Sequence, residues 1–139
     1  MNYKEIRNYG KTIKTYFQFL SRRGFSVKQY DNGIDYELIY SRPECEISIF
    51  CGLGVDAKMF ALYKNRLIED KQLIENSYLN TFIIISKERR RCNLLNCNLF
   101  DPLSMSKLKE DVINSKNDIN NVLRIYSEFI KKNLYKLLE

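Results

Sequence analysis

The chain has 139 residues, 45% of them hydrophobic and 29% charged, which suits one domain and is too apolar for disorder. Lysine and arginine number 23 against 17 aspartate and glutamate, so the net charge is +6 and the pI about 9.1. Histidine is absent, which removes every Ser-His or Cys-His nucleophile pair and every histidine-containing metal site.

A chain of this length buries roughly two-thirds of its unfolded surface, so a single domain over 1–139 needs no cofactor, metal or disulfide to fold. No apolar run approaches the roughly 18 residues of a membrane span; the longest strong one is Phe82-Ile83-Ile84-Ile85. Residues 1–7 carry charge with no apolar signal core behind them, and a cytoplasmic protein with no membrane partner is expected.

In chain order, residues 3–22 predict an amphipathic helix. Tyr3, Ile6, Tyr9, Ile13, Tyr16, Phe17 and Leu20 recur at spacings of three and four, with Lys4, Lys11, Lys14 and Arg22 on the other side. Gly24 follows as a stop, and Gly10, inside the pattern, marks close packing against a neighbour. Residues 25–30 read as a short strand, and Asp31-Asn32-Gly33 as a turn. Residues 35–41 alternate, with Tyr36, Leu38 and Tyr40 on one face and Glu37, Ile39 and Ser41 on the other. Arg42-Pro43-Glu44 turns the chain into a strand over 45–51, antiparallel to the previous one.

Gly52-Leu53-Gly54 lacks the third glycine of a dinucleotide fingerprint and the Gly-Lys-Ser/Thr of a P-loop, and reads as a strand turn. Residues 57–63 predict a further antiparallel strand, although helical spacing also fits, and 65–76 a short helix or linker. The β-branched run 81–86 reads as a strand or buried segment. No clean period is visible over 87–100, where Asn93, Asn96 and Asn98 argue for a loop. Asp101-Pro102 is a helix start, because aspartate caps free amides and proline fits the first helical position; that helix runs to about Ile113. The last helix, 118–138, carries Ile119, Val122, Leu123, Tyr126, Phe129, Ile130, Leu134 and Leu137 as one stripe. Segregated strands and helices predict an α+β fold, an antiparallel meander packed on one face by the N-terminal helix and the long C-terminal helix.

Three groups of residues bear on chemistry. The four cysteines, Cys45, Cys51, Cys92 and Cys97, are spaced Cys-x5-Cys and Cys-x4-Cys, wider than most structural zinc pairs, and are expected as buried free thiols. Cys92 follows Arg91 and is the one thiol with cations close in sequence, but no base can be assigned to it, so no catalytic residue is proposed. Glu44 and Glu46 share a strand face with Glu37 across the hairpin, which reads either as an acid–base pair or as a solvated sheet face. The basic residues are spread along the chain, with one dense point at Lys87-Glu88-Arg89-Arg90-Arg91. Lys87, Arg89, Arg90 and Arg91 suit either phosphates or an acidic protein surface. A base-stacking sheet would have Tyr36, Tyr40 and Phe50 as its candidates.

The order of elements resembles the immunity proteins of bacterial polymorphic-toxin and contact-dependent growth inhibition systems. The residues that carry the likeness are Tyr36-Glu37-Leu38-Ile39-Tyr40, Glu44-Cys45-Glu46-Ile47-Ser48-Ile49-Phe50, Met59-Phe60-Ala61-Leu62 and Ile125-Tyr126-Ser127-Glu128-Phe129-Ile130-Lys131-Lys132-Asn133-Leu134. The likeness is one of pattern, without an invariant motif, so it carries over no functional residue. It implies a cytoplasmic, non-catalytic protein whose partner is one cognate toxin, held with its active site blocked. Many such proteins are acidic, whereas this chain is basic, so its toxin would present an acidic surface or the contact would be led by a local patch. The segment 65–100 has no counterpart in the likeness. Charge placement makes Lys87, Arg89, Arg90 and Arg91 the first candidate contact and Glu37, Glu44 and Glu46 the second. The competing expectation is a small nucleic-acid-binding protein.

Overall fold

A computed structural model of the protein describes residues 3–31, 35–52, 81–115 and 118–139. Helices α1 (Tyr3–Tyr16) and α2 (Gln18–Arg22) open the chain. The strands β1 (Ser26–Asp31), β2 (Asp35–Ser41), β3 (Glu46–Gly52), β4 (Thr81–Lys87) and β5 (Arg90–Asn93) form one antiparallel sheet in meander order. Helices α3 (Pro102–Ile113) and α4 (Ile119–Leu137) close it. The fold is α+β, as the segregation of strand and helix patterns requires. The expected turn at Asn32-Gly33, the Leu53-Gly54 part of the Gly-x-Gly, the strand at 57–63 and the helix or linker at 65–76 lie outside the described residues.

The predicted first helix is two helices. Thr12 and Thr15 hydroxyls donate to the carbonyls of Asn8 and Lys11, a back-bonding that bends a helix, and the chain breaks at Phe17 one residue after α1. The end of α2 is a Schellman cap. Phe25 N donates to Leu20 O at 3.0 Å and Gly24 N to Ser21 O at 3.2 Å, with Gly24 at φ +86°. Leu20 and Phe25 are both buried, completing the apolar contact that accompanies this cap.

One face of the sheet and the helices share a single core. Ile13, Phe17 and Leu20 meet Tyr36, Leu38 and Tyr40 of β2, Ile47 and Ile49 of β3, and Ile83 and Ile85 of β4. From α4, Val122, Leu123, Tyr126, Ile130, Leu134 and Leu137 join them, and Phe129 packs half-buried at the margin. Asp101 caps α3 through Ser104 N, with Pro102 in the first turn, and Asp118 caps α4 through Asn120 N and Asn121 N. Two cross-chain contacts hold α4 to the rest: Lys136 Nζ lies 3.2 Å from Asp101 Oδ1, and Lys87 Nζ donates to Leu137 O and Glu139 O at 2.9 Å each.

Gly10 is buried against the ring of Tyr36: a Cβ there would lie 2.4 Å from Tyr36 Cζ. Alanine gains about 1 kcal/mol of helix propensity over glycine, but overpacking typically costs about 1–3 kcal/mol. Gly10→Ala is therefore expected to lower stability by about 1 kcal/mol in urea unfolding. In a Tyr36→Leu background, where the ring is gone, the same change is expected to raise stability. Equal effects in both backgrounds would refute the contact.

Candidate functional site

The segment from Lys87 to Arg91, read from sequence as part of a loop, is a hairpin. Lys87 and Arg90 are the last paired residues of β4 and β5, which leaves Glu88-Arg89 as a two-residue turn. Glu88 sits at φ +57°, a left-handed conformation that glycine or asparagine normally supplies. The turn is held by the strands on either side of it, and its sequence lacks the usual signal. β5 itself shows no apolar alternation because it is an outer strand: Arg90 and Arg91 are exposed and only Cys92 turns toward the core. Asn93 is no loop residue. It is 1% exposed, and its Oδ1 accepts from Leu95 N at 3.1 Å, capping the single 3-10 turn Leu94–Asn96.

A second correction concerns the cysteines. Cys92 and Cys97 form a disulfide with their Cα atoms 5.2 Å apart, so they are not free thiols and Cys92 presents no thiolate. A separation of five residues gave no disulfide signal on its own; the 3-10 turn folds the chain back and brings the pair together. Cys45 is free and buried, and desolvation pushes its thiol up to about 11, leaving it a packing residue. Among the described residues, no group of three or more His, Cys, Asp or Glu side chains is placed to hold a metal ion.

The expected acidic face is also revised. Glu37, Glu46, Ser48 and Phe50 do share the face opposite the helices, but Glu37 is 1% exposed and Ser48 2%. Ser48 Oγ donates to Glu37 Oε2. Phe50 and Ile84 are buried beside them, so this part of the face is no solvated surface and Glu37 is not available to a partner. Alternation alone cannot distinguish a wet from a covered second face. Glu44 is committed within the fold. Arg42 Nε and Nη2 donate to its two oxygens at 3.0 Å each, and Arg42 Nη1 donates to Arg23 O. The hydrogen bonds from Arg42 hold the Glu44 carboxyl below its ordinary value.

Of the seven candidate contact residues, three remain both exposed and uncommitted. Among the described residues, no ion pair or hydrogen bond engages the side chains of Arg89, Arg90 and Arg91. Lys87 lies beside them but is tied to the end of α4. The register adds one carboxylate to the cluster. Glu46 faces Ser86, and Ser86 faces Arg91, so the half-buried Glu46 and Arg91 share a row of one face, about 10 Å apart across β4. Glu37 and Glu44 are not part of that row. Tyr36, Tyr40 and Phe50, the stacking candidates, are 4%, 2% and 1% exposed and cannot receive a base.

A groove of about 500 Å³ lies elsewhere, between α3 and α4. Its rim mixes Lys107 and Lys132 with Asp111 and the Arg124–Glu128 ion pair, at 3.3 Å. Charges of both signs line it.

Asp101 supplies a pH-sensitive contact at the start of α3. Hydrogen bonds from Ser104 N and Ser104 Oγ, then from Lys136, pull its carboxyl down to about 2 from an ordinary 3.8. A carboxyl depressed on folding adds stability above its unfolded value and loses it as pH falls through the folded one. Asparagine retains the cap without the charge. Asp101→Asn is therefore expected to be less stable than the parent at pH 5, with the difference in melting temperature closing by about pH 2. A constant gap across that range would refute the contribution.

No helix of the described residues is long and apolar enough to cross a membrane. Comparison of the chain with protein-family models, with curated proteins and with solved structures gives no match in any of the three.

Proposed function

We propose that the protein is a cytoplasmic immunity protein that binds a cognate bacterial toxin and blocks its active site, with no catalysis of its own. The observation that carries this reading is the β4–β5 hairpin, where Arg89, Arg90 and Arg91 stand exposed and, among the described residues, without an intramolecular partner. The hairpin is held by the Lys87 tether to α4. A guanidinium offers a rigid fork of donors to a carboxylate, and a held hairpin loses little freedom when it binds. The partner's surface would be acidic, and its charge would steer encounter as well as set specificity. The architecture also fits the likeness to immunity proteins, a small α+β meander closed by a long final helix.

The competing reading assigns the same arginines to phosphates. The burial of Tyr36, Tyr40 and Phe50 weighs against a base-stacking sheet but leaves backbone contact open. Salt separates the two. Three phosphate contacts give a slope near −2.7 in log–log terms, so a fivefold rise in salt weakens nucleic-acid binding by roughly eightyfold. Tagged protein is to be captured from its native lysate at 0.1 M and at about 0.5 M salt, the Debye length falling about twofold between them. The expected result is one co-purifying protein, retained at high salt, whose toxic activity is suppressed in the complex. Recovery of nucleic acid at low salt, lost at high salt with no protein partner, would overturn the proposal in favour of the alternative.

A further inference from the structure

The other edge of the sheet carries a different feature. Among the described residues β1 is an outer strand, and all six of its residues are exposed. The alternation of ladder bonds decides which backbone groups it leaves open. Arg42 N donates to Cys45 O across the β2–β3 turn, so Tyr40, Leu38 and Tyr36 bond toward β3, and Ser41, Ile39 and Glu37 toward β1. Their opposites on β1 are Ser26, Lys28 and Tyr30. Val27 and Gln29 therefore turn N–H and C=O groups outward, away from the sheet.

This edge has little of the protection that outer strands usually carry. Its register with β2 runs unbroken from Ser26↔Ser41 to Asp31↔Tyr36, so no bulge twists it away, and it contains no proline. Beside it a groove of about 290 Å³ is lined by Lys14, Thr15, Gln18, Ser21, Val27 and Tyr40. Val27, 46% exposed, gives this groove apolar surface next to the open backbone. Lys14 reaches over the edge, with Nζ 2.6 Å from Gln29 Oε1. Between residues 8 and 31 the cations are Lys11, Lys14, Arg22, Arg23 and Lys28, all exposed, and Asp31 is the one acid.

We propose that β1 is a strand-addition site that accepts an extended, acidic segment of another protein. The segment's backbone pairs with Val27 and Gln29, one of its apolar side chains enters the groove beside Val27 and Tyr40, and its carboxylates meet Lys14, Lys28 and Arg22. A second copy of this chain is a poorer occupant, because pairing β1 with itself would bring two stretches of excess positive charge together. The site lies at the opposite edge of the sheet from Arg89–Arg91 and does not rest on the toxin-neutralising reading.

The test is an amide-resolved NMR titration of the full, isotope-labelled chain with a seven-residue, end-blocked peptide of one central valine flanked on each side by three glutamates, which puts carboxylates on both faces of the added strand. The control peptide replaces glutamate with lysine. Saturating shifts are expected at Val27 and Gln29 and from Lys14 in α1 to Gln18 in α2, with none from the control. Gln29→Pro removes an outward N–H while leaving the β1–β2 bonds intact, and is expected to weaken binding by about fivefold or more. Lys14→Glu, an exposed change that does not touch the backbone, is expected to weaken it by about fivefold as well, whether or not the proline variant folds. The proposal is overturned if millimolar peptide leaves β1 unshifted, if the lysine peptide binds equally, or if Lys14→Glu binds as the parent does. Concentration-dependent self-association that protects the Val27 and Gln29 amides would also overturn it, assigning the edge to a second copy.

Discussion

Phe17→Ala is expected to lower unfolding free energy by about 3–5 kcal/mol, the range for truncating a buried aromatic. Phe17 is 0% exposed and sits at the junction of α1 and α2. Its ring lies 6.1 Å from that of Phe19 and 6.4 Å from that of Tyr40, so it joins the helical layer to the middle of the sheet. Its backbone is equally engaged, with N donating to Ile13 O at 2.9 Å and O accepting from Leu20 N at 3.0 Å. Alanine leaves those bonds in place and removes only the ring, so the loss reads out packing. Against a total stability of about 5–15 kcal/mol for a domain, this is a large share. Urea unfolding should show a lower midpoint with an unchanged slope. Phe19→Ala is the internal comparison. Phe19 is only half-buried beside Lys131, so its loss should be clearly smaller. A Phe17→Ala loss below that of Phe19→Ala would contradict the core described above.

The second large effect concerns binding. Under the proposed function, replacing Arg89, Arg90 and Arg91 together with glutamate is expected to weaken the complex with the captured partner by at least about a hundredfold. Each lost charged contact at an interface commonly accounts for about 1–2 kcal/mol, and reversed charges add repulsion. Stability should hardly move, because the three side chains are exposed and, among the described residues, unpaired within the fold. The pair of measurements is a binding titration and a thermal melt on the same preparation. Undiminished affinity in a folded variant would remove the hairpin from the interface. Lys87→Ala should behave in the opposite way, lowering the melting temperature through loss of the α4 tether while changing affinity less.

The candidate site was only partly legible in the sequence. The run Lys87-Glu88-Arg89-Arg90-Arg91 identifies a charge cluster, because charge density is a local property. Its shape is not local. Glu88 takes a left-handed turn position without glycine, and β5 is paired on one side only, so neither the turn nor the strand leaves a pattern in the residues. The carboxylates show the same limit from the other side. Alternation places Glu37 and Glu46 on one face, and they are on one face, yet one is buried against Ser48 and the other lies in a row with Arg91. Glu44 and Arg42, two residues apart across Pro43, close on each other through the turn. Cys92 and Cys97 needed the intervening 3-10 turn before their bridge could form.

The sequence by itself determined the α+β class, the positions of β1 to β3, the Asp101-Pro102 start of α3, the stripe of α4 and the need for glycine at Gly10 and Gly24. Each of these follows from short-range causes: side-chain period, capping chemistry, and the space or backbone angle that only glycine allows. Only the tertiary structure decided which of the described strands are outer ones, that the face opposite the helices is buried around Glu37 and Ser48, and that Lys87 is engaged while Arg89, Arg90 and Arg91 are exposed and, among the described residues, unpaired. The reason is that burial, edge position and ion pairing depend on what stands across a strand or under a helix. Those neighbours are distant in the chain, as with Lys87 and Leu137, fifty residues apart.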